Sequence, residues 1–289
     1  RQSIRRSCRT VAVRDCAFCA RVRGSAYSST YEPTTDLLPM NALTRRQGSL
    51  IRRLHDRRSR RKEGLFLVEG QRCCEEAFIH AGKAVEFVVL AEGFEAPRSI
   101  SAERIHRCSV AEFATVSTTQ NAQGILAVMR YAYASELPSP EPYTLILDGV
   151  GDPGNMGTIL RTAWACGLRS VCVTDGSCDP YSPKTIRAGM GAQFSLTLFK
   201  LQSVAEWQTR FPDGRLWLTD PHEGARCMDA AFDPRGGALV IGGEAHGVGD
   251  LPGARVTIPM PGQAESLNVA QATTILLYET LRRGWLPGT

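Results

Sequence analysis

The sequence predicts an α/β protein with a C-terminal parallel sheet covered by helices and a smaller α/β domain before it. Short runs of apolar and β-branched residues alternate with stretches of helical periodicity, as in strands joined by helices. The run over 143–150 is apolar at nearly every position, which indicates a strand buried on both faces, as in parallel sheets. With 289 residues, of which 43% are hydrophobic, the chain is long enough for two domains.

The first domain is predicted over residues 41–132. Gly82 is expected to end one of its helices and Ser109 to cap another. Residues 133–142 are rich in Pro and Ser and lack periodicity, so they are predicted to be a linker. The predicted strands are 65–70, 84–91 and 124–132, and the predicted helices are 71–82 and 109–117.

The second domain is predicted over residues 143–289. Its strands are expected at 143–150, 170–175, 215–220, 237–243 and 255–260, and its helices at 154–168, around 202–211 and from about 267 to 283. The last helix is expected to bury one face. That face would carry Leu267, Ala270, Thr274, Leu277 and Leu281.

Positive charge is concentrated at the front of the chain. Residues 1–62 hold sixteen Arg or Lys against four acidic residues, whereas the remainder is net acidic. This uneven distribution of charge indicates that the basic end of the molecule binds a polyanion. Residues 1–40 are Arg- and Ser-rich, and three explanations stay open for them: a transit peptide, a flexible arm or an overextended gene start.

Several classes of protein are excluded by what the sequence lacks. Its ten cysteines are scattered along the chain, which is typical of reduced cysteines that serve as small apolar residues. No metal site is therefore expected. No apolar run is long enough to span a membrane. The GxGxxG and GK[ST] patterns of nucleotide-binding loops are missing. His246 lies in a Gly-rich turn with no evident acidic partner and is interpreted as structural.

Three loops follow predicted strands, at the edge where open parallel sheets bind ligands. They read GDPGNMG, GGEAHGVG and PGQAESLN. Glycines let a backbone approach a ligand closely, so Gly242, Gly243, Gly247 and Gly262 suit main-chain recognition of a base and a sugar. The polar residues of the loops have simpler explanations one by one. Ser266 would serve as a helix N-cap, Asn155 as a turn residue and Arg161 as a surface charge.

Three segments closely resemble the signature motifs of the SpoU (TrmH-like) branch of the SPOUT methyltransferases. They read DPGNMGTILRTAWACGL, LVIGGEAHGVGD and IPMPGQAESLNVAQATTILLYE. SPKTIRAGMGAQF resembles the segment between the first two motifs, and RRKEGLFLVEGQRCCEEAF and TTQNAQGILAVM resemble the family's N-terminal substrate-binding domain, which is similar to small ribosomal proteins. The resemblance covers residues 41–285, with mild departures at Asp152, His246 and Ala270.

The resemblance implies a deep trefoil knot in the second domain, a homodimer formed through that domain, and methyl transfer from S-adenosylmethionine to a ribose 2′-hydroxyl of RNA without a metal. Ribosomal RNA is favoured because the ribosomal-protein-like domain is typical of that subset, and transfer RNA is the alternative. The expected location is cytoplasmic, or a mitochondrion or plastid if residues 1–39 are a transit peptide. A base-methylating enzyme and a non-catalytic RNA-binding assembly factor stay open. The third-motif loop ESLNVA counts against the first, and the presence of Asn155, Arg161 and Glu244 counts against the second.

The resemblance also assigns roles to single residues. Arg161 would clamp a phosphate beside the 2′-hydroxyl with its planar fork, held in place by Asn155 and Glu244. Ser266 and Asn268 would orient the substrate. The residues expected around the cofactor are Thr219, Gly242, Gly243, Gly247, Ile258, Met260 and Leu267. The residues expected to contact RNA are Arg45, Arg46, Arg52, Arg53, Arg57, Arg58, Arg60, Arg61 and Lys62, with Lys184 and Arg187 beside the site.

Overall fold

A computed structural model describes residues 41–119, 122–137, 139–244 and 247–286. The segment 1–40 and His246, for which the sequence suggested explanations, lie outside the described residues. None of the described helices is long and apolar enough to cross a membrane.

The described secondary structure alternates between strands and helices. The helices are α1 (Arg45–Leu54), α2 (Arg57–Glu63), α3 (Gln71–Ala81), α4 (Val110–Val116), α5 (Pro153–Ala165), α6 (Pro183–Gly189), α7 (Val204–Arg210) and α8 (Val269–Arg282). The strands are β1 (Asn41–Ala42), β2 (Leu65–Glu69), β3 (Val85–Ala91), β4 (Ile105–Cys108), β5 (Ile125–Arg130), β6 (Thr144–Asp148), β7 (Ser170–Thr174), β8 (Thr197–Leu201), β9 (Leu216–Thr219), β10 (Ala225–Arg226), β11 (Ala238–Gly242) and β12 (Ala254–Thr257). Every strand and helix predicted from the sequence is present, with ends that differ by at most three residues.

The N-terminal strands form a five-stranded mixed sheet in the order β1-β4-β3-β5-β2. β5 runs antiparallel to both β2 and β3, while β3, β4 and β1 are parallel. One face of the sheet is covered by α1 and α4, which bury Ile51, Leu54 and Phe113 against it. α3 packs on the other face through Cys74 and Phe78. The prediction of a small α/β domain is confirmed.

The C-terminal strands form a seven-stranded sheet in the order β10-β12-β9-β11-β6-β7-β8, and every pairing in it is parallel. β6 and β11 lie near the middle with nearly every residue buried, as the apolar run over 143–150 predicted. The α/β class and the parallel sheet are therefore confirmed, and the strand order is consistent with the knot expected from the resemblance.

The basic stretch from Arg45 to Lys62 is not a loose arm but a pair of folded helices. Thr44 begins α1 with a capping box, in which it exchanges hydrogen bonds with Gln47. Asp56 caps α2 by accepting from the backbone N–H of Ser59, and Gly64 ends it with a φ of 67°. The arginines lie around a buried stripe that includes Ile51 and Leu54. Positive charge therefore covers the outer surface of a packed element.

Helix α8 corrects one detail of the predicted buried face. The helix begins at Val269, and its buried face carries Val269, Ala270, Thr273, Leu276, Leu277 and Thr280. Thr274 is exposed, so its predicted burial is wrong. The predicted face was counted from Leu267, but Leu267 precedes the helix, so the positions counted from it do not all fall on the buried face. The buried Thr273 hydroxyl is satisfied by donating to the carbonyl of Val269, 2.7 Å away.

A buried ion pair joins the two sheets. Arg60 on α2 donates to Asp179 from Nε at 2.9 Å and from Nη2 at 2.8 Å, and the two side chains are only 4% and 6% exposed. Its Nη1 donates to the carbonyls of Leu54 and His55. The expectation that Arg60 contacts RNA is therefore wrong, because its guanidinium is enclosed and its donors are used within the protein.

We expect Arg60→Ala to lower the free energy of unfolding by about 3–5 kcal/mol, because it leaves the carboxylate of Asp179 buried without its cation. The exposed Arg58 lies on the same helix and provides the control. Thermal and denaturant unfolding of Arg60→Ala beside Arg58→Ala measures the difference. Equal stability of the two variants would contradict a structural role for the pair.

Candidate functional site

A cavity of about 380 Å³ opens at the carboxyl ends of β9, β11 and β12. All seven residues predicted around the cofactor line it, and so do Glu244 and Ser266. The full lining is Thr219, Asp220, Pro221, His222, Ile241, Gly242, Gly243, Glu244, Gly247, Val256, Ile258, Met260, Glu265, Ser266, Leu267, Val269, Ala272 and Leu276. This volume lies in the range of small-molecule sites, and the mixture of apolar walls with a few polar groups is typical of them.

The loop after β11 needs glycine for steric reasons. A Cβ on Gly243 would overlap the carbonyl oxygen of Gly149, and one on Gly242 would overlap the backbone of Gly247. The N–H of Gly242 donates to Thr219 Oγ1 at 3.3 Å, which ties this loop to the end of β9. The glycines thus bring three backbone segments together and leave main-chain surface, rather than side chains, along this side of the cavity.

The loop after β12 supplies the apolar wall through Ile258, Met260 and Leu267. It ends where Asn268 caps α8, because its Oδ1 accepts from the N–H groups of Ala270 and Gln271 at 3.0 and 3.3 Å. The simple explanation of Ser266 as the N-cap is therefore wrong. Ser266 is exposed and lines the cavity.

A chain of polar side chains connects the three loops. Asn155 donates through Nδ2 to Glu244 Oε1 and accepts at Oδ1 from Asn268 Nδ2, 3.1 Å away. Asn155 itself lies in the first turn of α5, so its explanation as a turn residue is wrong. Asp152 caps that helix by accepting from the N–H of Asn155 at 2.9 Å, and this hydrogen bond holds the pKa of Asp152 below its usual value.

Arg161 lies apart from this chain of side chains. It follows Asn155 by six residues, which turns its side chain by about 240° around the helix. Arg161 is exposed and makes no hydrogen bond or ion pair within the part of the chain that the structure describes. The expectation that Asn155 and Glu244 hold Arg161 is therefore wrong, since those two residues bind each other and Asn268. The guanidinium of Arg161 is free to meet a ligand.

Most of the basic residues expected to contact RNA lie on the surface. Arg45, Arg46, Arg52, Arg53, Arg57, Arg58, Arg61, Lys62 and Lys184 are exposed. Two of them have acidic partners, Arg53 with Glu63 at 3.2 Å and Lys184 with Asp152 at 3.4 Å, and both pairs are solvated. Solvated ion pairs of this kind contribute little to stability, so these basic side chains can exchange one partner for another. Arg187 is half-buried, and its Nη1 has no hydrogen-bond partner among the described residues.

The sequence missed Asp220 and Glu265, two acidic residues of the cavity. Asp220 follows β9 directly, so the rule that ligand contacts follow strand ends could have found it. Its carboxylate accepts from the N–H groups of His222 and Glu223 and pairs with Arg255 at 2.7 Å. No cluster of three or more His, Cys, Asp or Glu side chains suited to a metal occurs in the described ranges.

Comparison with known proteins agrees with this geometry. Residues 142–278 match the SpoU rRNA Methylase family, and residues 49–127 match the MRM3-like substrate binding domain. The 23S rRNA (guanosine(2553)-2′-O)-methyltransferase RlmP of Bacillus subtilis is 31% identical over 78% of this chain and 92% of its own length. The mitochondrial rRNA methyltransferase 3 of Homo sapiens is 28% identical, over 83% of this chain and 72% of its own.

Among solved structures, the SpoU methyltransferase AviRb from Streptomyces viridochromogenes, in complex with AdoMet, superposes with a TM-score of 0.70. It is 28% identical and covers 84% of this chain and 98% of its own. The glycine loops, the cavity and these similarities lead to one conclusion: the chain belongs to the SpoU rRNA methylase family.

Proposed function

We propose that this chain transfers the methyl group of S-adenosylmethionine to a ribose 2′-hydroxyl of ribosomal RNA. The observation that carries the proposal is the hydrogen-bonded series of side chains Glu244–Asn155–Asn268, which joins all three loops and of which Glu244 lines the cavity. These hydrogen bonds link the three loops before any ligand arrives, and fixed positioning is what a reaction between a weak nucleophile and an activated methyl group needs.

The cavity suits the adenosine part of the cofactor. Ile258, Met260 and Leu267 would hold the adenine, and the backbone of Gly242 and Gly243, which packs against Gly247 and Gly149, would face the sugar. Thr219 and Gly247 complete the proposed cofactor contacts. When bound, S-adenosylmethionine supplies an electrophilic methyl group. The chain's own residues then have to bind, orient and shield the reactants from water.

The proposed RNA contacts rest on the exposure and the charge of the side chains around the site. Ser266 lines the cavity and Asn268 is exposed directly after its lining residue Leu267. Both would orient the nucleotide, while Arg161 would clamp its phosphate in bidentate fashion. The exposed basic residues of α1 and α2, with Lys184, would hold neighbouring phosphates. The proposed domains are therefore an RNA-binding domain over 41–132, a linker over 133–142 and a methyltransferase domain over 143–289.

One exposed apolar surface of the protein is proposed to bind a second copy of the chain. Trp164 of α5 and Ile275 and Tyr278 of α8 are 37%, 41% and 62% exposed. The two helices lie side by side, with Thr162 and Thr274 hydroxyls 3.4 Å apart. Large exposed apolar side chains on adjoining helices mark interaction sites. We propose the cytoplasm as the location, with a mitochondrion or plastid as the alternative, since the human relative is a mitochondrial protein.

We expect metal-stripped protein to bind S-adenosylmethionine, because the cavity offers backbone and apolar walls rather than a set of metal ligands. Calorimetric titration in the presence of a chelator measures this. Absence of heat, or binding restored only after zinc is added, would count against the site.

We expect Arg161→Ala to reduce single-turnover methyl transfer on the order of 10²-fold while S-adenosylmethionine affinity stays unchanged, because the nucleotide is no longer held in position. Arg161→Lys should recover little, since a point charge cannot reproduce the planar fork. Arg169 is equally exposed but lies at the opposite edge of the sheet, just before β7, so Arg169→Ala is the control. Full activity in Arg161→Ala would show that the reactive centre lies elsewhere. A fully inactive wild-type chain that still binds RNA would favour the assembly-factor alternative.

We expect the wild-type chain to be a dimer in solution and Tyr278→Glu to be a monomer, because a charge cannot be buried unpaired at the apolar surface. Val110 is exposed to the same extent, 63% against 62%, but belongs to α4 in the other domain. Val110→Glu should therefore remain dimeric. Light scattering after gel filtration distinguishes the outcomes, and a dimeric Tyr278→Glu protein would rule out this surface.

A further inference from the structure

A second cavity, of about 390 Å³, lies where α2 meets the carboxyl ends of β7 and β8. It shares no residue with the cofactor cavity. Its walls come from α2, from the residues just before β2 and just after β5, and from β7, β8 and the loop after β7. The lining is Arg57, Arg61, Gly64, Tyr131, Tyr133, Val173, Thr174, Asp175, Ser177, Cys178, Asp179, Pro180 and Lys200.

Positive charge predominates in this cavity. Asp179 is already paired with the buried Arg60, and Asp175 is paired with Lys200 at 2.5 Å. Arg57 uses one nitrogen to donate to the carbonyl of Ser177 at 2.9 Å, and no carboxylate in the described ranges pairs with it. Arg61 makes no hydrogen bond or ion pair with the described residues, although the Lys200 hydrogen bond together with the charges of Arg61 and Arg57 holds the pKa of Asp175 below its usual value. Two guanidinium groups, one helical turn apart on α2, are therefore available to an anion.

Aromatic surface completes the wall. The rings of Tyr131 and Tyr133 stack with centroids 5.8 Å apart and an angle of 12° between their planes. The hydroxyl of Tyr131 donates to Asp179, whereas that of Tyr133 has no hydrogen-bond partner among the described residues. Burial raises the pKa of Tyr133, so its hydroxyl stays protonated and able to donate.

The cavity lies on the same edge of the sheet as the cofactor site. β7 is two strands away from β11, which corresponds to about 10 Å. The loop after β6 lies between the two cavities and contacts residues of both. Gly149 donates its N–H to Thr174 Oγ1 and, on its other side, lies against Gly243. This loop leads directly into α5, where Asn155 lies.

We propose that this cavity binds a second nucleotide of the RNA, a neighbour of the one that is methylated. Its phosphate would lie in the forks of Arg57 and Arg61, and its base would lie against Tyr133. The proposal rests on the proposed RNA substrate. A cavity of this size holds one nucleotide, and charge with an aromatic surface is the usual combination for binding unpaired nucleotides.

The test compares two double variants that remove equal charge. Arg57→Ala/Arg61→Ala removes the cavity cations, and Arg98→Ala/Arg210→Ala removes two exposed arginines that neither line the cavity nor belong to the proposed RNA contacts. Fluorescence anisotropy of a short mixed-sequence oligoribonucleotide is measured over a series of KCl concentrations. The cavity variant should bind about tenfold more weakly than the control, and the slope of log Kd against log salt should fall by about 0.7 for each phosphate that is no longer bound.

The aromatic wall gives an independent signature. Tyr133→Leu should weaken RNA binding at least about fivefold with no change in the salt slope, because base stacking involves no counterions. Tyr133→Phe, which keeps the ring, should bind nearly as the wild type does. S-adenosylmethionine affinity should be unchanged in every variant, which shows that the fold is intact.

The outcomes separate this inference from the proposed function. If the wild type neither binds the oligoribonucleotide nor methylates ribosomal RNA, the proposed function fails and this inference fails with it. If the wild type does both and the cavity variant matches its control, only the inference is overturned. Uridine 5′-monophosphate serves as the second probe. Binding of this nucleotide that depends on Arg61, with RNA affinity unaffected, would mean a free-nucleotide site and would overturn the inference.

Discussion

The structure depends on the buried ion pair between Arg60 and Asp179. Charges are expensive to remove from water unless every polar atom is satisfied. Here the carboxylate of Asp179 accepts from Arg60, from the Tyr131 hydroxyl at 2.9 Å and from the N–H of Tyr181 at 2.9 Å. One side chain thus fixes α2, the segment after β5 and the loop after β7 at a single point. The two sheets therefore form one continuous apolar core around it.

The effect of this contact extends to the proposed reactive loop. The carbonyl of Asp179 accepts from Thr185 Oγ1 at 3.0 Å, which anchors the start of α6. α6 in turn packs so closely on α5 that a Cβ on Gly157 would lie 2.5 Å from the carbonyl of Thr185. α5 carries Asn155 in its first turn. Because these contacts are tight and continuous, RNA held on α2 would be positioned relative to the three loops without a flexible joint between them.

The elements predicted correctly from the sequence are those that a local residue pattern marks. The apolar run of β6 and the Gly-rich loops were identified because their period and composition are distinctive. β4, with the sequence IHRC, was missed because two polar residues interrupt its apolar pattern. Nothing local marks Arg60 among nine neighbouring basic residues. Its burial follows from an acidic partner 119 positions away. The separation of Arg161 from Asn155, in contrast, was already implied by the predicted helix 154–168, because a spacing of six residues turns a side chain by about 240° around a helix.

That separation gives the two surfaces of α5 different roles. The surface with Asn155 meets the glycine loops, while Arg161 lies beside Trp164 at a spacing of three residues, on the exposed apolar side. A solvated guanidinium binds a phosphate weakly because water screens it, and its attraction grows as water is excluded. In the protomer alone Arg161 is exposed. A second copy seated on Trp164, Ile275 and Tyr278 would exclude water next to it. The proposed dimer and the proposed phosphate clamp therefore depend on the same surface, since the first would create the environment that the second requires.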